Sequence, residues 1–94
     1  MEYLKKFKIT DKQIKYLKDK YNKSIISFIS ENEIFVTETI EYLYSENIDC
    51  IFLLLDNNIR IFLETKIALK KKIEELKMKN YSIKAIIASL ALGN

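Results

Sequence analysis

The sequence predicts an α+β fold in a single small domain, residues 1–94, with an N-terminal helix, antiparallel β-hairpins in a meander, and then a helix and a final strand or helix. Two observations carry this prediction. A six-residue apolar run at 50–55 is followed by turn residues and then by a second apolar run rich in β-branched side chains, which is typical of a hairpin. In addition, neither Lys nor Ala, both good helix formers, occurs between residues 24 and 65.

An N-terminal helix is predicted over residues 11–22. Thr10 and Gln13 have the capping-box spacing, in which each side chain accepts a hydrogen bond from the other residue's backbone. Ile14 and Leu17 follow at helical spacing, and most lysines of the segment fall on the opposite, solvent side. The segment therefore predicts an amphipathic surface helix.

Two strands are predicted next, over residues 24–30 and 33–44, because Ile, Phe, Val, Thr and Tyr are abundant there. Asn recurs between the segments, which indicates turns at fairly regular spacing. Residues 37–44 remain open between strand and helix, since Ile40 and Leu43 also lie at helical spacing.

The central hairpin joins strands at 50–55 and 59–63. With a two-residue loop at its tip, Asp49 falls opposite Lys66, and Glu64 is its diagonal neighbour. The three side chains then share one face of the sheet, because side chains alternate between faces along a strand. Directly paired Cβ atoms lie about 5 Å apart and diagonal ones about 7–8 Å. Two carboxylates at this separation suit one divalent cation, with the ammonium group beside it.

An amphipathic helix is predicted after the hairpin, with Ile73 and Leu76 on its apolar stripe and Asn80 at its end. Residues 82–92 remain open between a final helix capped by Ser82 and a buried strand parallel to the sheet. The strand is favoured, because an amphipathic helix that follows a strand commonly crosses over a sheet.

The composition limits the possible chemistry. The chain has no His and one Cys, so Ser-His-Asp and Cys-His catalysis and an ordinary zinc site are excluded. Carboxylates and lysines remain, and carboxylates suit a hard cation such as Mg²⁺. Without an apolar stretch of membrane-spanning length, and with charges near its start, the chain is predicted to be cytoplasmic and to make no membrane contact.

Charge is strongly segregated along the chain. Residues 1–23 carry eight Lys against three acids, residues 24–64 one Arg against eight acids, and residues 65–94 seven Lys against two acids. This basic–acidic–basic order suits internal electrostatic complementarity, or a basic rim beside an acidic site. Nucleic acid or a protein is therefore the expected partner.

The segment Asn47-Ile-Asp49, two apolar strands joined by a turn, and then Glu64-Thr-Lys66 resemble the core motif of the PD-(D/E)xK nuclease superfamily. This group includes restriction endonucleases and archaeal Holliday-junction resolvases. The resemblance covers about residues 47–89 and implies a restriction-endonuclease-like core and a divalent-metal-dependent DNA phosphodiesterase. Ile48 replaces the motif's proline, and the leading helix has no clear counterpart of the family's glutamate.

The resemblance also implies roles for individual residues. Asp49, Glu64 and the Thr65 carbonyl would hold Mg²⁺ or Mn²⁺, and Lys66 would orient the attacking water. A nuclease this short would need a homodimer or a partner to grip DNA. The same acids and lysine equally suit a salt bridge without metal. Contacts to DNA phosphates are implied for three lysines of the following helix, Lys70, Lys71 and Lys72.

Two further alternatives stay open. One is a non-enzymatic binding or regulatory module, such as a phage-type inhibitor that occupies another macromolecule's binding site. The other is an all-helical fold that loosely resembles mitochondrial transcription termination factor repeats, although it lacks the prolines of those repeats. The pairs on which that resemblance depends each precede an apolar block by a similar interval; they are Ile14/Leu17, Ile40/Leu43 and Ile73/Leu76.

Overall fold

Helices alone make up the regular structure of residues 1–93, the part of the chain that the computed structural model describes. No strand occurs within these residues, so the predicted α+β fold with its β-hairpins is wrong, and so is the restriction-endonuclease-like core that the nuclease resemblance implies. The helices are a 3₁₀ helix (Glu2–Phe7), α1 (Asp11–Lys20), α2 (Lys23–Glu31), α3 (Glu33–Ser45), α4 (Ile51–Asn57), a second 3₁₀ helix (Ile59–Phe62), α5 (Lys66–Met78) and α6 (Ile83–Leu92).

The two strands predicted before the hairpin are helices α2 and α3. In α3 the fully buried side chains are Val36, Ile40 and Leu43, which recur every three or four residues and define one face of a helix. The helical alternative for residues 37–44 is thus confirmed. Burial of this face outweighs the modest preference of Ile, Val and Thr for strands, since propensity is a weak prior that tertiary packing overrides.

The predicted central hairpin is α4 followed by the second 3₁₀ helix. Helix α4 packs against both α1 and α6, which explains why five of its seven residues are apolar. Its buried residues Ile51, Leu54 and Leu55 have helical spacing. A short apolar run is equally compatible with a buried strand and with a helix that is covered on several sides. Residues 51–57 form such a helix.

The helix predicted over residues 11–22 and the amphipathic helix predicted after residue 66 are confirmed as α1 and α5. At α1, Gln13 N donates to Thr10 Oγ1 at 3.1 Å and Thr10 N donates to Gln13 Oε1 at 3.0 Å, which completes the predicted capping box. Helix α5 occupies the predicted amphipathic segment. The preference for a strand over residues 82–92 is wrong, because Ser82 Oγ accepts from Ala85 N at 3.1 Å and caps α6.

Three turns of the same construction divide the chain into repeats. We define repeat 1 as residues 2–31, repeat 2 as residues 33–62 and repeat 3 as residues 66–92. In each, a residue in the left-handed conformation lies one or two positions after the end of a first helix, and a second helix starts shortly afterwards. The left-handed residues are Lys8 (φ 66°), Asn47 (φ 63°) and Asn80 (φ 64°).

Backbone hydrogen bonds show that the turns are equivalent. The N–H group of the left-handed residue donates to the carbonyl three residues earlier, at 3.2 Å for Lys8, 3.0 Å for Asn47 and 2.9 Å for Asn80. In repeats 2 and 3 the next residue adds a second bond, from Ile48 N to Leu43 O at 2.9 Å and from Tyr81 N to Leu76 O at 3.1 Å. These bonds satisfy carbonyls at the helix end, as in other left-handed helix terminations.

The repeats stack in register. The first helices of repeats 2 and 3, α3 and α5, each have 13 residues and pack together, while the second helices α1, α4 and α6 pack in sequence. Phe7 of the first 3₁₀ helix contacts Tyr44 of α3, with ring centroids 5.7 Å apart, and so extends the layer of first helices to repeat 1. The all-helical alternative treated Ile14, Ile40 and Ile73 as equivalent positions of a repeat. Ile40 and Ile73 do lie on equivalent first helices, α3 and α5, but Ile14 lies on α1, which is a second helix.

One buried and three half-buried tyrosines predict unfolding at alkaline pH. Burial raises the pKa of Tyr42 to about 12, and it also raises the pKa of Tyr3, Tyr21 and Tyr44 above the usual value. Since the pKa is higher in the folded state, the stabilisation is complete below the unfolded pKa of about 10 and is lost as pH rises above it. We expect circular dichroism and tyrosinate absorbance to change together between about pH 10 and pH 12.

A matched pair of variants isolates this effect. Tyr3→Phe removes a buried hydroxyl that donates to Ile29 O at 2.6 Å, and it should flatten the alkaline pH dependence of stability. Tyr81→Phe alters an exposed ring and should leave the dependence unchanged. Ionisation of Tyr3 and Tyr42 at their ordinary pKa, with the helices still intact, would contradict the prediction.

Candidate functional site

The structure separates the residues of the predicted metal site. Asp49 lies in the turn between α3 and α4, where it lines a groove with Lys6 and Lys8. Glu64 follows the second 3₁₀ helix and instead lines a cleft with Arg60. The strand pairing that placed the two carboxylates on one face does not exist, because the intervening residues form α4 and a 3₁₀ helix.

The other two residues of that site also have different surroundings from those predicted. Lys66 is the first residue of α5, and its Nζ lies 3.4 Å from Glu38 Oε2, so its ion pair joins α5 to α3. Thr65 is the N-cap of α5. Within residues 1–93, no group of three or more His, Cys, Asp or Glu side chains is placed to hold a metal ion. Binding of Mg²⁺ or Mn²⁺ stays a prediction from the sequence.

The three lysines predicted to contact DNA are distributed around α5. Lys70 faces a groove between α3 and α5 that Glu41 and Tyr42 also line. Lys72 is half-buried and lines the cleft that contains Arg60. Successive residues of a helix are rotated by about 100° from one another, so Lys70, Lys71 and Lys72 cannot follow one phosphate backbone together.

A polar cluster joins repeats 1 and 2 at the C-terminal end of α4. Lys20 Nζ donates to Asp56 Oδ1 and to Asp56 O, both at 2.6 Å, and Tyr16 Oη donates to Asp56 Oδ1 at 2.9 Å. The hydrogen bond from Lys20, supported by that from Tyr16, lowers the pKa of the Asp56 carboxyl. Tyr21 Oη donates to the carbonyls of Leu55 and Asp56 at 2.7 and 2.8 Å.

An equivalent polar contact joins repeats 2 and 3. Tyr21 is the C-cap of α1, and Asn58 is the C-cap of α4. Asn58 Nδ2 donates to Leu90 O of α6 at 2.8 Å, so each of these C-caps donates to carbonyls near the end of the next second helix. These hydrogen bonds hold neighbouring repeats together, so their role is structural. Because Lys20 is bound to Asp56, it is not available to a ligand.

The remaining lysines of repeat 1 form a basic face along α1. Lys12, Lys15 and Lys18 are exposed and follow one another at i, i+3 spacing, so neighbouring side chains lie along one ridge of the helix. We define the basic face as this ridge together with the exposed lysines before and after it, namely Lys6, Lys8, Lys12, Lys15, Lys18 and Lys23.

None of the six lysines of the basic face forms an ion pair within residues 1–93. Asp49 lies near one edge of the face, where it lines a groove with Lys6 and Lys8. Two of the three acids in residues 1–23 are paired with Lys5, whose Nζ lies 2.6 Å from Glu2 Oε2 and 2.7 Å from Asp11 Oδ1. Asp19 is the remaining acid in residues 1–23. The face therefore presents a concentrated positive potential to solvent.

Sequence reasoning placed the α1 lysines on the solvent side but did not single them out, because lysine is abundant throughout both terminal thirds of the chain. The sequence pattern was also not recognised as three repeats whose turns lie at Lys8, Asn47 and Asn80. A usable signal was present in the sequence. Glu-Tyr-Leu occurs at 2–4 and again at 41–43, and Glu-Glu-Leu occurs at 74–76. The Leu of each tripeptide lies four positions before a left-handed residue.

Comparison with protein-family models, curated proteins and solved structures yields no match to this chain. Function is therefore inferred from the surface of the chain itself. None of the helices in residues 1–93 has the length and apolar character needed to cross a bilayer. The cytoplasmic location stays a prediction.

Proposed function

We propose that this protein is a non-enzymatic helical-repeat module that binds nucleic acid through the phosphate backbone, with the basic face as the contact surface. The observation that carries the proposal is the ridge of Lys12, Lys15 and Lys18, which is exposed and unpaired. Like charges at neighbouring positions of a helix cost stability. A polyanion removes this cost, because its phosphates neutralise the lysines and release condensed counterions.

The spacing along the ridge also suits a polymeric anion. Lysines three residues apart rise by about 4.5 Å along a helix axis, so three of them span about 9 Å. Each flexible stem carries its ammonium group outward, and the ridge can meet successive phosphates of one strand. A lysine is a point charge without the planar fork of arginine, so such a surface favours phosphates over the edges of particular bases.

Salt dependence is the test of this proposal. Fluorescence anisotropy of labelled single-stranded DNA, duplex DNA and RNA of one sequence should show binding that weakens steeply as NaCl is raised. If three to five phosphates are neutralised, the slope of log K against log[NaCl] on duplex DNA is about −3 to −5. Absence of binding at low salt, or an affinity that does not change with salt, would overturn the proposal.

A further inference from the structure

One apolar patch with an acidic rim lies at the turn between α2 and α3. Glu31, Glu33, Ile34, Phe35 and Glu38 line one shallow depression there. Ile34 is largely exposed and Phe35 is half-buried. Of the three acids only Glu38 is in an ion pair within residues 1–93, with Lys66. We call these five residues the acidic end.

A second apolar patch, with a basic rim, surrounds the turn between α5 and α6. Met78, Tyr81 and Ile83 are exposed there, and Lys79 and Lys84 lie among them in the sequence. Residues 76–94 contain no Asp or Glu. Neither lysine forms an ion pair within the described part of the chain. We call these five residues the basic end.

The repeats show that the basic end exposes one position that the other two repeats bury. Tyr81 follows a left-handed residue and is 45% exposed, whereas its equivalents Ile9 and Ile48 are 2% and 0% exposed. Ile83, the first residue of α6, is 37% exposed as well. The position after the left-handed residue is thus covered in repeats 1 and 2 and open to solvent in repeat 3.

The two ends lie far apart on the molecule. Helices α3 and α5 run parallel, because one ion pair joins Glu38, in the first half of α3, to Lys66 at the start of α5. Another, at 2.9 Å, joins Glu46, directly after α3, to Lys77 near the end of α5. The acidic end lies at the start of α3 and the basic end lies beyond the last residue of α5. A helix of 13 residues is about 20 Å long, so one molecule can offer both ends at once.

We infer that the basic end of one molecule docks on the acidic end of a second copy. Both patches centre on exposed apolar side chains, and their rims carry opposite charge, so apolar burial and charge attraction act in the same direction. The contact joins two different surfaces of the same chain. Such a heterologous contact does not close at two subunits, and it produces ascending oligomers or a ring.

The association is weak and reversible. Each patch presents only two or three apolar side chains, which corresponds to the low end of interface sizes, below about 1,200 Å² of total buried area. Exposed charges are screened over about 8 Å at physiological ionic strength. Self-association therefore increases with protein concentration and decreases with salt.

Sedimentation velocity of nuclease-treated protein tests this inference. The weight-average mass should rise between about 10 μM and about 1 mM at low salt, a range that covers a millimolar dissociation constant. Two variants each neutralise one end at exposed positions: Glu33→Gln/Ile34→Gln, and Tyr81→Gln/Lys84→Gln. Each variant alone should be monomeric at concentrations at which the wild-type chain associates. Its association constant should be at least tenfold lower than that of the wild-type chain.

An equimolar mixture of the two variants distinguishes a head-to-tail contact from any other. One variant supplies the only intact basic end and the other the only intact acidic end, so the mixture should form a dimer and nothing larger. Lys71→Gln, a change of the same kind at an exposed residue outside both ends, should associate like the wild-type chain. The inference fails if the wild-type chain stays monomeric, if either variant alone still associates, or if the mixture remains monomeric or grows beyond dimers.

Discussion

Replacing Lys12, Lys15 and Lys18 together by glutamine is expected to weaken nucleic-acid binding about 10- to 100-fold at low salt and to lower the salt slope on duplex DNA by about 2 to 3. Each lysine that contacts a phosphate contributes about 0.9 to that slope, because each contact releases condensed counterions. The side chains are exposed and unpaired, so the fold should be unaffected. Anisotropy titrations at several NaCl concentrations measure both quantities.

The matched control removes three other lysines. Lys70→Gln/Lys71→Gln/Lys72→Gln makes the same change in net charge, but these side chains point in different directions around α5. We expect this variant to bind within about threefold of the wild-type chain, because it loses only a long-range contribution that salt screens. Equal weakening by both triple variants would mean that net charge alone governs binding and would contradict a contact surface on α1.

Leu43→Ala is expected to lower the free energy of unfolding by about 3–4 kcal/mol, because Leu43 is fully buried and truncation leaves a cavity in addition to the lost transfer energy. For a domain of this size that is a large share of a total stability of about 5–10 kcal/mol. Leu76 is its equivalent in repeat 3 and is 9% exposed. Its truncation should cost less, about 2–3 kcal/mol, because the end of the stack relaxes more easily.

Urea denaturation followed by circular dichroism measures both free energies. The ratio of the two effects tests the repeat architecture, since side chains at equivalent positions differ only in how many neighbouring repeats cover them. A larger loss for Leu76→Ala than for Leu43→Ala would contradict the stacking described above. Ile67→Ala is a surface control, because Ile67 is exposed and its truncation should change stability by less than about 0.5 kcal/mol.

Local signals in the sequence were sufficient for several elements. The Thr10–Gln13 capping box marks the start of α1, because it depends only on atoms within four residues. Asn80 was predicted to end its helix and does lie just beyond α5, in a left-handed conformation that Asn tolerates better than most residues. The amphipathic pattern of α5 is likewise local, since a clear polar face is visible in the sequence.

The middle of the chain could not be assigned in this way. Residues 24–57, which form most of α2 and all of α3 and α4, contain many β-branched and aromatic residues and neither Lys nor Ala, so local preference favoured strands. The candidate site depended on that assignment, because Asp49 and Glu64 come together only across a hairpin. Once residues 51–57 form α4, the two carboxylates line different surfaces.

The sequence by itself determined α1 with its capping box, the amphipathic helix α5, the absence of histidine chemistry and the segregation of charge, because each is a property of neighbouring residues or of composition. Only the tertiary structure decided that the apolar middle and residues 83–92 are helical, how the repeats stack, and which lysines remain unpaired. The physical reason is that burial between stacked repeats outweighs a strand preference of at most about 1 kcal/mol per residue. Ion pairs such as Lys20–Asp56 likewise join residues that are brought together only by packing.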